Sequence, residues 1–196
     1  MRTPAATNET ILKTSGVLFN TNGYKATSIS HITDATGFTK GAIYRHFGSK
    51  DDLEKETLAF LSNMMFVKMR EIITKEKNAV DKLRAIFKFF ESYITNPPLK
   101  GGCPLLNAAI EADDAHPALR KEALKMLTVL KQSVITILQN GIDRKQIKPG
   151  IDKSFYATLI IAVLEGGIMM SKLEGNNEDI RKMIRHLNDQ LGAITI

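Results

Sequence analysis

Apolar positions along this chain recur three or four residues apart, which is the spacing that amphipathic helices produce. No segment alternates convincingly between apolar and polar residues as a half-buried strand does. In the first helical segment, residues 8–22, the positions that share one face are Ile11, Leu12, Ser15, Leu18 and Phe19. The pattern predicts an all-α fold of about nine helices, preceded by a frayed arm at residues 1–7.

Glycine, proline and capping residues divide the chain into its predicted helices. Asn22-Gly23 ends the first helix, Asn96-Pro97-Pro98 ends another, and Asp152 caps a strongly apolar one. Two short helices are predicted within residues 28–50. The remaining helices are predicted at about 50–75, 79–95, 104–112, 117–140, 155–173 and 177–191.

A tight turn between two short helices is predicted within SISHITDATGFTKGAIYRHFGSK, residues 28–50. Thr27 is suited to cap the first helix, and Gly37 can adopt the positive φ that ends it. Thr39 is placed to cap the second helix. This arrangement is that of a helix-turn-helix whose second helix enters a DNA groove.

The second short helix combines an apolar inner face, formed by Ile43 and Phe47, with a basic outer arc. Lys40 and Arg45 supply positive charge, and Gly41 leaves the backbone bare, so that the helix can approach a groove closely. Lys40, Arg45 and the methyl group of Ala42 are the candidate base readers. The full set of predicted DNA-binding residues is Thr27, Ser28, Thr39, Lys40, Gly41, Ala42, Tyr44, Arg45, His46 and Lys50. An exposed polar face without a DNA partner is the alternative interpretation.

A longer motif begins at the second helix, TKGAIYRHFGSKDDL at 39–53, and it resembles the signature of the TetR family of one-component transcriptional repressors. The family pattern is Ser/Thr-Lys-Gly, one residue, Leu/Ile-Tyr, one residue, His/Tyr-Phe, one residue, Ser-Lys-Glu/Asp, one residue, Leu. Every constrained position matches. Upstream, Thr33 and Thr36 replace the alanines that are more common there, while the matching positions are Gly23, Tyr24, Thr27, Ile32 and Gly37.

The resemblance implies a ligand-responsive repressor that binds a palindromic operator as a homodimer and is released by a small molecule. It also implies a helix-turn-helix DNA-binding domain at 1–48, with the reader helix at 39–46, and a helical regulatory domain at 49–196. Within the second domain, 49–76 is expected to form the connecting helix and 152–193 the dimerisation helices. Activation of transcription instead of repression is the alternative.

The predicted helix at 152–173 is apolar around too much of its circumference to have a solvent face. Either it lies inside the monomer core, or it buries a second face against another subunit. Small residues allow close helix approach and favour the subunit interface, as does the two-fold symmetry of a palindromic operator. The predicted interface residues are Phe155, Leu159, Ala162, Val163, Gly166, Gly167 and Met170.

Composition is consistent with a DNA-binding regulator in the cytoplasm. At 196 residues, 43% of them hydrophobic, the chain can bury the core of one or two domains. No run of about 18 apolar residues predicts a membrane span, and the first ten residues carry no apolar signal segment. The single cysteine excludes an internal disulfide and fits a reducing compartment.

Positive charge is concentrated at the start of the chain. Residues 1–50 contain six Lys/Arg and two Asp/Glu, whereas residues 51–196 contain 21 and 19. A basic head on a nearly neutral body favours a polyanion such as double-stranded DNA as partner. An ordinary basic surface gives the same charge, so the motif and not the charge decides the prediction.

A sensor site for a small-molecule effector is expected in the regulatory domain because of the resemblance. Methionine and aromatic residues with a few polar groups are candidates for its lining. They are Met64, Met65, Phe87, Phe90, Tyr93, Cys103, Leu106, Asn107, Met126 and Met169. Plain core packing is the alternative for each of them.

Cys103 suggests an alternative function, a repressor that senses electrophiles or oxidants through its thiol. Gly102-Cys103-Pro104 places this thiol at a helix N-terminus, where the dipole favours the thiolate, and Lys100 is nearby. A small buried residue in a tight loop is the competing interpretation.

No catalytic residues, cofactor or metal site are predicted. Glu111, Asp113, Asp114 and His116 are grouped like metal ligands, but they flank a helix break before Pro117, where capping explains them. Neither a phosphate-cradling glycine motif nor a recognisable nucleophile–base pair supports an enzyme. A helical adaptor that does not bind DNA leaves the motif at 39–50 without an explanation.

Overall fold

The computed structural model describes residues 3–92, 95–112 and 116–196. Within these ranges the chain forms nine α-helices and no strand, apart from an isolated antiparallel bridge between Ile147 and Thr195. The all-α prediction is confirmed. The helices are α1 Pro4–Asn22, α2 Ile29–Thr36, α3 Lys40–His46, α4 Lys50–Ile73, α5 Ala79–Glu91, α6 Pro104–Ala112, α7 Pro117–Asp143, α8 Lys153–Glu174 and α9 Glu178–Ile194.

The start of α1 differs from the prediction of a frayed arm at residues 1–7. Thr3 caps the helix by accepting a hydrogen bond from the N–H of Ala6 at 3.3 Å, and Pro4 occupies the first helical turn. Threonine followed by proline is a helix-start signal, because the proline has a suitable φ and lacks an N–H that would be unpaired there. The prediction was therefore wrong for residues 4–7.

The end of α7 also differs, because the helix continues through Gly141 to Asp143. A Cβ atom at Gly141 would lie 2.7 Å from both Ala79 and Ile147. Gly141 therefore lies within the helix, where the absence of a side chain allows Ala79 and Ile147 to pack closely against it. The sequence pattern alone does not distinguish this role from a turn.

The chain divides into two compact units, Met1–Met64 with Leu99–Met126, and Met65–Pro98 with Leu127–Ile196. In the first unit, α1 packs against α2, and α2 packs against α3. The Phe19 and Tyr24 rings stack at 4.8 Å, and both are buried. The predicted three-helix arrangement of α1 with the helix-turn-helix is confirmed.

In the second unit, α8 packs along α9, and α9 also packs against α5. Gly167 of α8 permits the close approach, since a Cβ atom at this position would lie 2.7 Å from Ile180. The hydroxyl of Ser171 accepts a hydrogen bond from the Ile180 N–H at 3.0 Å and supplements this contact. The inner face of α8 thus packs against α9 of the same chain.

Candidate DNA-binding site

The turn between α2 and α3 is stabilised by local hydrogen bonds of residues that the sequence analysis identified. Gly37 has the left-handed φ of 72° and ends α2, while the side chain of Thr39 accepts from the N–H of Ala42 at 3.2 Å and caps α3. Ile43 and Phe47 are buried beneath the helix. The predicted turn, cap and inner face are all confirmed.

The outer arc of α3 is exposed and consists of Lys40, Gly41, Tyr44 and Arg45. The Lys40 Nζ lies 5.9 Å from the centre of the Tyr44 ring, within the range of a cation–π contact. Ala42 and His46 are half-buried, and the exposed Thr39 begins the arc. The arc offers hydrogen-bond donors, an aromatic ring and a bare backbone within two helical turns.

Within residues 3–50, most of the positive charge that no ion pair neutralises lies on this arc. Among the described residues up to position 50, Lys13 pairs with Glu9 at 2.7 Å and Lys50 pairs with Glu54 at 3.0 Å. The other cations of that stretch, Lys25, Lys40 and Arg45, form no ion pair with a described carboxylate, and two of the three belong to α3. A helix surface of this kind favours phosphate groups.

Gly41 has no structural reason within the first unit to be glycine. A Cβ atom at this position would meet no atom within 4 Å, and the residue lies in a regular helix without a positive φ. Glycine weakens a helix relative to alanine. Packing among the described residues therefore does not explain why position 41 is glycine and not alanine.

Thr27 and Ser28 form different hydrogen bonds from those that the sequence predicted. The cap of α2 is Ser28 and not Thr27, since the Ser28 side chain accepts from the His31 N–H. Thr27 is fully buried, and its hydroxyl donates to the Gly23 carbonyl at 2.7 Å. The Thr27 hydroxyl thus stabilises the loop before α2, whereas Ser28 is exposed.

Lys50 forms internal bonds at the start of α4. Its ammonium group donates to the Tyr24 carbonyl at 2.8 Å and pairs with the buried carboxylate of Glu54. These bonds hold the loop after α1 against α4. Lys50 therefore has a structural role, in addition to the DNA contact that was predicted for it.

Two residues of α6 bind the end of α1 and the loop after it, and sequence reasoning missed them in this role. The carboxylate of Glu111 accepts from the N–H groups of Tyr24 at 3.0 Å and Lys25 at 2.9 Å. The side-chain amide of Asn107 donates to the carbonyl and the side-chain oxygen of Asn20 at 3.0 and 2.8 Å. A sequence signal for these bonds is lacking, because the partners lie 86 or 87 positions apart.

The phenol of Tyr24 is buried in this region, and its oxygen has no hydrogen-bond partner among the described residues. Burial is the main cause that raises the pKa of Tyr24 above its ordinary value, and the negative charges of Glu54 and Glu111 raise it further. The side chain therefore contributes packing against Phe19 as a neutral group.

Asp51, Glu54 and His116 place three possible ligand atoms within 4.8 Å of one another. The hydrogen bonds argue against a metal there. Nδ1 of His116 accepts from the Leu119 N–H at 3.2 Å, so the ring proton belongs on Nε2, which contacts Glu54. A metal on Nε2 would displace that proton and compete with Lys50 for Glu54. Of the group considered from the sequence, Asp113 and Asp114 lie outside the described residues.

The ten predicted effector-site residues are distributed over both units. Met64, Cys103, Leu106, Asn107 and Met126 belong to the first, and Met65, Phe87, Phe90 and Met169 to the second, while Tyr93 lies outside the described residues. Cys103 is buried at the start of α6. Met169 is 44% exposed on the outer side of α8, a poor position for lining an enclosed cavity.

A groove of about 550 Å³ runs along the end of α4 and along α5 in the second unit. None of the ten predicted residues lines it. Its lining residues are Ile72, Glu76, Asp81, Arg84, Ala85, Lys88, Phe89 and Ser92.

The outer face of α8 carries apolar and small residues that the described chain leaves accessible. Phe155, Ala162, Met169 and Leu173 are exposed. Phe155 and Ala162 belong to the predicted interface, and four further members of it are less exposed on the same face: Leu159, Val163, Gly166 and Met170. Gly167 lies on the inner face instead, where it is buried against Ile180 of its own chain.

Among the described residues, α8 is the one helix whose length and apolar character would suit a membrane span, and 33% of the relevant window is buried. Core helices of globular proteins have the same properties. This helix by itself is weak evidence for a membrane.

Comparison with known proteins matches the N-terminal and the C-terminal part of the chain to models of related bacterial regulators. The family described as "Bacterial regulatory proteins, tetR family" matches residues 11–57, and "Tetracyclin repressor-like, C-terminal domain" matches residues 79–187. A TetR transcriptional regulator from Chloroflexus aurantiacus is 35% identical, with a TM-score of 0.94 over 100% of this chain and 98% of that one.

Two further proteins are similar to this chain, one in sequence and one in fold. The HTH-type transcriptional repressor KstR2 of Mycobacterium tuberculosis is 29% identical over 77 residues, which are 39% of this chain and 38% of KstR2. The regulator CifR was solved with a 26-bp double-stranded operator DNA; it shares 19% identity and a TM-score of 0.82 over 95% of each chain, a likeness of fold.

Proposed function

Since the chain belongs to the TetR family of bacterial transcriptional regulators, we propose that it is a ligand-responsive repressor that binds a palindromic operator as a homodimer. The observation that carries the DNA-binding part is the outer arc of α3. It presents the cations Lys40 and Arg45, which form no ion pair with a described carboxylate, beside the bare backbone of Gly41. Tyr44 lies between the two cations in the chain. The expected location is the cytoplasm.

The contacts of this arc divide into two kinds. Lys40, with its flexible stem, and the Tyr44 hydroxyl suit phosphate groups, which set affinity. Arg45 suits the two acceptors of a guanine in the major groove, which set sequence preference. Thr39 and Ser28, at the starts of α3 and α2, suit phosphates near helix N-termini.

Selection of bound fragments from sheared genomic DNA tests this proposal with the purified protein. Wild type is expected to enrich a palindromic site, and Tyr44→Ala and Arg45→Ala are expected to lose it. Lys121→Ala, which removes an exposed cation from α7, is the matched control and should retain the site. Lys50→Ala is not a suitable variant, because Lys50 also holds Tyr24 and Glu54. Failure of wild type to enrich any site over a range of salt concentrations would contradict the proposal.

The homodimer is proposed to form through the outer face of α8. Exposed apolar residues at Phe155, Met169 and Leu173 form one side of this helix. Gly166 permits close approach, since a Cβ atom there would meet no described atom within 4 Å outside the backbone of its own helix. A two-fold axis would place two reader helices on successive major grooves of a palindrome.

The effector is proposed to be a small molecule that binds in the helical body and shifts α4, thereby changing the distance between the two reader helices of the dimer. Double electron–electron resonance between spin labels on α1 of each subunit tests this step. An effector that weakens operator binding without changing the distance distribution would contradict it.

The alternative of a thiol sensor at Cys103 remains a prediction. Because Cys103 is buried, its thiol must first become accessible to solvent before it can react. A reagent reaches the thiol only when the start of α6 opens. A Cys103→Ser variant that still responds to electrophiles in operator-binding assays would exclude this alternative.

A further inference from the structure

The N-terminus of α2 is closed by a capping box in which histidine occupies the position where glutamate or glutamine is usual. The hydroxyl of Ser28 accepts a hydrogen bond from the N–H of His31 at 3.2 Å. In return, the Nδ1 atom of His31 accepts one from the N–H of Ser28 at 3.3 Å. These two bonds fix the imidazole ring beside the first turn of the helix.

The bond to Nδ1 determines which ring nitrogen remains available. Because Nδ1 is the acceptor, the ring proton belongs on Nε2, which is then a hydrogen-bond donor. His31 is exposed, as are the neighbouring Ser28 and Ser30. A glutamate at position 31 would form the same box but would present a negative charge instead of a donor.

In a helix-turn-helix, the first helix crosses the DNA backbone while the second enters the groove. We propose that His31 is a DNA-contacting residue, in which Nδ1 maintains the capping box and Nε2–H donates to an operator phosphate. The inference rests on the proposed DNA-binding function and adds a residue of α2 to the contacts of α3. It also gives a reason for histidine in the box, since an acid there would repel the phosphate.

Matched substitutions separate the contact from the cap. His31→Gln retains both an acceptor for the box and an outward donor, whereas His31→Glu retains the acceptor and replaces the donor with a negative charge. Glutamate suits a helix N-terminus, so the unfolding midpoint of His31→Glu should equal or exceed that of wild type. Ala35→Glu places the same charge on another exposed position of α2 and controls for long-range repulsion.

Binding is measured by fluorescence anisotropy with the operator that wild type selects. His31→Gln and Ala35→Glu are expected to bind within about threefold of wild type, and His31→Glu to bind at least about tenfold more weakly. Equal binding by His31→Glu and wild type would overturn the inference. An equal loss in Ala35→Glu would overturn it too, because charge alone would then explain the effect.

A second measurement does not depend on the folding of the glutamate variant. Operator phosphates are replaced one at a time by neutral methylphosphonates, and binding is compared for wild type and His31→Ala. The inference requires one phosphate whose replacement weakens wild type at least about fivefold and leaves His31→Ala nearly unchanged. Without such a phosphate the inference fails although DNA binding stands, whereas a wild type that selects no operator refutes the proposed function itself.

Discussion

Replacing Gly41 with alanine should stabilise the protein and yet weaken its binding to DNA. The stability gain follows from helix propensity, because glycine in a helix is less favourable than alanine by about 0.5–1 kcal/mol. Apart from the backbone of its own helix, no atom of the described residues lies within 4 Å of the added methyl group, so no steric cost opposes the gain. Gly41 lies in the first turn of α3, which favours the lower end of that range. For a chain of this size, about 0.5 kcal/mol raises the melting temperature by about 1–2 °C.

The loss of DNA binding follows from the position of Gly41 between Lys40 and Tyr44 on the exposed arc. A methyl group there holds the backbone of α3 away from the groove and lengthens the hydrogen bonds of its neighbours. A tenfold loss in affinity corresponds to about 1.4 kcal/mol, roughly the net contribution of one hydrogen bond. We therefore expect Gly41→Ala to bind the selected operator at least about tenfold more weakly.

Differential scanning calorimetry and fluorescence anisotropy on the same preparations measure the two effects. Gly192→Ala is the matched control, since Gly192 is an exposed glycine of α9 whose added Cβ would also meet no atom within 4 Å. It should gain stability and keep its affinity for DNA. If Gly41→Ala binds the operator as tightly as wild type, close approach of this backbone to DNA is not the reason for the glycine.

Three further predictions concern Lys50, the α8 face and Tyr24. Lys50→Ala should lower the free energy of unfolding in urea by about 2–3 kcal/mol, because it leaves the carboxylate of Glu54 buried without its cation. A change below about 0.5 kcal/mol would refute the structural role of Lys50. Met169→Glu should convert dimers to monomers in light scattering, whereas Val129→Glu, at a similarly exposed apolar position of α7, should not. Tyr24→Phe should change the unfolding free energy little at pH 7, since no described residue forms a hydrogen bond with the phenol oxygen. Because burial raises the pKa of Tyr24 in the folded state, wild type should lose stability as the pH rises above about 10, where the unfolded tyrosine ionises. The phenylalanine variant should lack that part of the loss, and parallel slopes would contradict the assignment.

The features that the sequence predicts well are those set by neighbours along the chain. The turn at Gly37, the cap at Thr39 and the buried face at Ile43 depend on residues within one or two helical turns. The bond from Tyr24 N–H to Glu111 spans 87 positions, so it depends on packing that no local pattern encodes. Gly141 illustrates a related failure: its helix-ending signal was overridden by close contacts with other parts of the second unit.

The hydrogen bonds of α6 bear on how an effector would act on DNA binding. The predicted domain boundary at residue 48 assigns α6 to the regulatory domain, yet residues 99–126 and 1–64 form one compact unit. Asn107 binds the end of α1, and Glu111 holds two N–H groups of the loop that leads to α2. A displacement of α6 must therefore either carry this loop with it or break bonds to a carboxylate, which are among the stronger hydrogen bonds in proteins. Because this loop leads directly to α2, we expect a displacement of α6 to move α2 as well, in addition to the proposed shift of α4.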